Sequence, residues 1–88
     1  MTSETLAKHL ITEFPWYLRG MKAISRSGYD YAFDIQNTKL AQLYRVQNSN
    51  NEDDSIAVVQ ARITEFLDDY NLKWGFGSHY EYLFCWYR

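Results

Sequence analysis

Cysteine occurs once, at Cys85, so no internal disulfide can form and a disulfide-stapled scaffold is excluded. Proline also occurs once and glycine four times, and no internal repeat or low-complexity tract divides the chain. Apolar runs fall far short of the roughly 20 residues that span a bilayer. No charged segment followed by an apolar one opens the chain, which predicts neither a membrane span nor a secretory leader. A reducing, cytoplasmic setting is the expectation. Excess positive charge is missing too: 9 Lys and Arg face 11 acids, for a net −2. Nucleic-acid binders usually carry a basic field instead.

Aromatic residues are abundant. Five Phe, three Trp and eight Tyr make 18% of the 88 residues. A chain this short makes one domain, 1–88, and must bury its core efficiently. Each large ring buries roughly 150–250 Å², so rings can fill a core that aliphatics alone would not. Charge is unevenly spread. Residues 1–28 hold Lys8, Arg19, Lys22 and Arg26 against Glu4 and Glu13, whereas acids concentrate at Glu52, Asp53, Asp54, Glu65, Asp68 and Asp69.

Hydrophobic spacing predicts the elements. Leu6, Leu10 and Phe14 fall on one side of a helix over 3–14, capped by Thr2 or Ser3 and stopped by Pro15. Residues 17–25 read as a strand, with a second short helix begun by Pro15 as the alternative, and Arg26-Ser27-Gly28 as a hairpin connection. Tyr29, Tyr31, Phe33 and Ile35 alternate on a strand over 29–35. After a turn at 36–38, residues 40–47 alternate again, Leu40, Tyr44 and Val46 against Ala41, Leu43 and Arg45, and predict a third strand. A polar connection covers 48–54. Ile56, Val59, Ile63, Phe66, Leu67 and Tyr70 form one helical stripe over 55–70, with Asp54 or Ser55 as N-cap and Asn71 in the left-handed cap position. Residues 73–77 read as a glycine-hinged aromatic loop. The last strand, 79–87, sets Tyr80, Tyr82, Phe84 and Trp86 against His79, Glu81, Leu83, Cys85 and Tyr87.

These elements predict an α+β two-layer sandwich in the order α-β-β-β-α-β, with helices on one face of a mostly antiparallel sheet. The aromatic sides of the strands are expected to face the helices. That expectation leaves Leu43, Leu83 and Tyr87 on the opposite sheet face, rimmed by Asp30, Asp34, Arg45 and Glu81. An apolar centre with a charged rim is interface anatomy.

Catalytic residue types are few. On one strand His79 and Cys85 stand about 20 Å apart, which excludes a local nucleophile–base pair, and Asp30 and Asp34 stand about 13 Å apart. Cys85, His9 and His79 lack the paired short spacing of a zinc site. Gly75 and Gly77 do not open a strand–glycine–helix phosphate loop. No catalytic, cofactor or metal site is expected.

The expectation is a small non-enzymatic module that binds a protein partner, or a second copy, through that outer sheet face. Asp68 and Asp69 offer a further acidic surface to a basic partner. Phage inhibitors, anti-defence proteins and immunity proteins are built on this scale. The alternative is an RNA- or DNA-binding domain. Helix–strand–strand–strand–helix is the order of double-stranded RNA-binding domains, although acids here open the second long helix, where phosphate would be repelled.

Overall fold

The computed structural model describes residues 1–47 and 55–88. Helix α1 (Ser3–Glu13) starts where the Thr2 hydroxyl accepts the Thr5 N–H at 3.1 Å, and it buries Leu6, Ala7 and Leu10. Pro15 opens a second helix, α2 (Pro15–Leu18), at a position where its missing N–H has no intrahelical partner to lose. Strands β1 (Lys22–Ile24) and β2 (Tyr31–Asp34) then pair as an antiparallel hairpin, and Gly28 supplies a positive φ in the connection. The ambiguous segment 16–26 is thus a short helix first and a strand second.

Residues 40–47 are not a strand. They lie in helix α3 (Lys39–Gln47). The reason sits just upstream. Buried Thr38 donates its hydroxyl to the Ile35 carbonyl at 2.7 Å and accepts the Ala41 N–H at 3.2 Å, which starts the helix. Leu40, Ala41 and Tyr44 then turn inward at helical spacing, and Val46, expected beside Leu40 and Tyr44, is 64% exposed.

Helix α4 (Ser55–Asp68) follows its stripe: Val59, Ile63 and Leu67 are buried, while Ile56 and Phe66 pack on the core edge. Asn71 adopts the left-handed conformation at φ 61 and donates its N–H to the Asp68 carbonyl, and Leu72 behind it is buried. The polar connection 48–54, its acids Glu52, Asp53 and Asp54, and the capping side chain of Ser55 lie outside the described residues.

The expected loop at 73–77 is mostly strand: β3 (Leu72–Phe76) runs through it. A 3-10 turn (Ser78–Tyr80) leads to β4 (Tyr82–Tyr87). The sheet order is β1-β2-β4-β3, antiparallel throughout. One expected strand is lost at 40–47 and one is gained at β3. The α+β architecture, with helices layered on a four-stranded antiparallel sheet, therefore stands.

Which face of β4 meets the helices is the main correction. Leu83 lies opposite Phe33, and Cys85 opposite Tyr31. Residues opposite each other across strands share a face, and a shift of one residue exchanges the faces. Tyr31 and Phe33 are core residues, so Leu83 and Cys85 are too, both 0% exposed. The ring-bearing row of Tyr82, Phe84 and Trp86 takes the outer face. Among the described residues no helix is long and apolar enough to cross a membrane.

Candidate binding surface on the outer sheet face

The register places three rows across the outer face. Ile24, Ala32, Phe84 and Gly75 form the central one. Lys22, Asp34 and Tyr82 lie in a row to one side, and Trp86 pairs with Lys73 in the row on the other. The helices pack against the opposite face. The β1–β2 connection instead folds back over this one. Tyr29 stacks on Phe84 with ring centroids 4.2 Å apart and planes 5° from parallel, and it also contacts Trp86 at 5.9 Å. Arg26 stands over the Tyr82 ring at 4.9 Å from its centroid, a cation–π contact.

Glycine makes the ring layer possible. A Cβ on Gly77 would fall 2.8 Å from Phe84 Cε2 and 3.0 Å from Tyr82 Cβ, and one on Gly75 would fall 3.4 Å from Trp86 Cη2. Strand glycines often mark such close approaches. The result is a patch of Tyr29, Tyr82, Phe84 and Trp86 around Ile24 and Ala32. Tyr29 is 45% exposed and the other three rings are half-buried. Lys22, Arg26 and Lys73 border the patch, with the carboxylates of Asp34 in the Lys22 row and of Asp30 at the Trp86 end among them.

The residues expected to form a partner site are scattered over several surfaces. Leu83 lies in the core and cannot be touched by a partner. Leu43 and Arg45 sit on α3, because that segment is helical, and Arg45 Nε donates to the His79 carbonyl at 3.2 Å. Tyr87 is half exposed and shares the inner face with Leu83, its N–H bonded to the Asp30 carboxylate at 2.8 Å. Asp34 accepts the Gln36 N–H at 3.0 Å, and Glu81 accepts the Ile35 N–H through its main-chain carbonyl. Asp68 pairs with Arg88, which offsets its unfavourable place at the negative end of α4, and exposed Asp69 neighbours it. The rings that do share an open face are the ones that alternation alone assigns to the core. Gly75 and Gly77, placed in a loop by the sequence reading, were the signal that rings cross a strand there.

Cys85 is enclosed, and burial pushes its thiol up to about 12, so it carries no thiolate near neutral pH. His79 lies in the 3-10 turn, and the His9 ring meets Tyr70 at 6.1 Å. Among the described residues no group of three or more His, Cys, Asp or Glu converges as metal ligands would. Compared with protein-family models, with curated proteins and with solved structures, the chain matches none of them.

Proposed function

We propose that this chain is a non-enzymatic protein-binding module that occupies an acidic partner through the outer face of its sheet. It would act as small inhibitor and immunity proteins do, by covering a surface. The observation that carries the reading is the ring patch of Tyr29, Tyr82, Phe84 and Trp86 with its cationic surround. Trp, Tyr and Arg dominate interface hot spots, because they bury large areas while keeping polar contacts. Lys22, Arg26 and Lys73 outnumber Asp30 and Asp34 by one, so the complementary surface is acidic. Two copies joined face to face would oppose like charges, which favours a different partner over a homodimer.

Affinity capture from the source cell tests this. The variant carrying Arg26→Ala and Tyr29→Ala should lose the partner that the wild-type chain retains, while Val58→Ala on exposed α4 should keep it. Undiminished capture by the double variant would refute the docking face.

A second reading is single-stranded nucleic acid, favoured by the same cations beside rings on which bases could stack. It is the weaker one, because Tyr29 already covers Phe84 and Arg26 already covers Tyr82. Fluorescence anisotropy with single-stranded RNA and DNA at about 50 and 200 mM salt separates the two. A phosphate binder loses affinity steeply over that range.

A further inference from the structure

We infer that the free edge of β3, with the groove beside it, takes an extended acidic peptide by strand addition. The inference rests on backbone groups of the sheet edge rather than on the ring patch, although Lys73 and Trp86 border both surfaces, so the edge amides and not Lys73 tell the two readings apart.

Among the described residues β3 lies at the end of the sheet order and pairs with β4 alone. Gly77 N–H donates to the Tyr82 carbonyl at 2.9 Å, and Arg88 N–H to the Asn71 carbonyl at 3.1 Å. These bonds mark 77/82 and 71/88 as hydrogen-bonded pairs. In an antiparallel ladder such pairs alternate with non-bonded ones, so 73/86 and 75/84 belong to the same set. Leu72, Trp74 and Phe76 therefore turn their N–H and C=O groups away from β4. Three consecutive donor–acceptor sites, two residues apart, face outward along the edge. Only an extended backbone repeats its own groups at that spacing.

The space beside the edge matches such an occupant. A groove of about 450 Å³ is lined by all five residues of β3 and, on the other side, by Gln60, Thr64 and Asp68 of α4. Trp74 and Phe76 give it an apolar wall, and Trp74 is held in place by its Nε1–H bond to Thr64 Oγ1 at 2.9 Å. A fixed ring loses little freedom when a side chain packs on it. Alternate residues of an added strand would point toward this wall, and those between would point to the outer-face side.

Charge selects among extended segments. In the groove lining Arg88 is paired with Asp68, which leaves the charge of Lys73 uncompensated there. An acidic residue near one end of the peptide complements this balance. A second copy offering its own β3 does not, because the only charge on that strand is Lys73.

The test is a library of random nine-residue peptides displayed on phage and panned against the full chain. The best binders are then synthesised and titrated. Enriched peptides should alternate apolar residues and carry Asp or Glu near one end. N-methylation of every second backbone nitrogen, the set facing β3, should weaken binding about tenfold or more, and the intervening set about twofold or less. Amide hydrogen exchange gives the location. The N–H groups of Leu72, Trp74 and Phe76 should gain protection on binding, while those of Lys73 and Gly75 are protected beforehand. Lys73→Glu should weaken binding of the acidic peptides. Any of four results overturns the proposal: no enriched peptide, affinity indifferent to which nitrogens are methylated, protection confined to other amides, or a dimer by light scattering whose Trp74 and Phe76 amides are already protected.

Discussion

The phenol oxygens of Tyr31 and Tyr87 lie 2.6 Å apart, tying the start of β2 to the end of β4. That bond, followed by burial, raises the Tyr31 hydroxyl to about 12. Burial raises Tyr44 to about 12 as well, and Cys85 from 9.0 to about 12. All three groups are neutral when protonated, and the fold favours that form. Their contribution is complete below about pH 9 and declines as pH climbs toward 12, because the unfolded chain releases these protons first. The urea midpoint should thus hold steady to about pH 9 and fall above it, and Tyr44→Phe should flatten the fall. A midpoint unchanged to pH 11 contradicts the burial of these groups.

Leu83 and Phe84 are adjacent but belong to opposite faces, and substitution should tell them apart. Leu83→Ala opens a cavity against Phe33 and should cost about 2–5 kcal/mol, a large part of a small domain's stability. Phe84→Ala should cost less, because its ring is half-buried and partly stacked on Tyr29. Chemical denaturation of both variants gives the ranking, and equal or reversed costs would return Phe84 to the core.

Gly77→Ala should destabilise by about 1–3 kcal/mol through overpacking. Its new methyl would meet the ring edge of Phe84 and the Cβ of Tyr82, neither free to swing clear without disturbing the patch. Melting temperature is the readout. The same substitution at Gly75, where the contact is looser, should cost less.

Thr38→Ala should cost about 0.5–2 kcal/mol by removing the α3 cap, with Thr38→Ser recovering most of it. Loss of the Ile35 and Ala41 hydrogen bonds inside the core puts the expected value toward the upper end. Equal stability of Thr38→Ala and the wild type would contradict the cap.

Cys85 should resist an alkylating reagent in the native state and react at the rate of global opening. Modification at the speed of an exposed thiol would contradict its burial.

Where one periodicity dominates, the sequence was plain to read. The stripe from Ile56 to Leu67 and the alternation of Tyr29, Tyr31, Phe33 and Ile35 each admit one element type, and both types formed, the helix over Ser55–Asp68 and the strand over Tyr31–Asp34 alone, with Tyr29 turned onto the outer face. Segment 40–47 suits either type, and the choice was made by Thr38, whose hydroxyl reaches backward and forward from a buried position. Alternation on β4 identified a strand without identifying its inner face, since both sides carry apolar residues. Only pairing with Tyr31 and Phe33 decides that, and pairing is a long-range property. The expected partner residues were displaced for the same reason. Once Leu83 turns inward, the open face passes to Phe84 and its neighbours.

The β1–β2 connection has a consequence for timing. Arg26 and Tyr29 complete the outer face only by lying over Tyr82, Phe84 and Trp86, which follow them by more than fifty residues and are synthesised after β1, β2 and β3. Until β4 has paired beside β2, the patch has no floor and no shape. A partner reading this surface would therefore pass over chains in which β2 and β4 are still unpaired, and its grip would report that this pairing has formed.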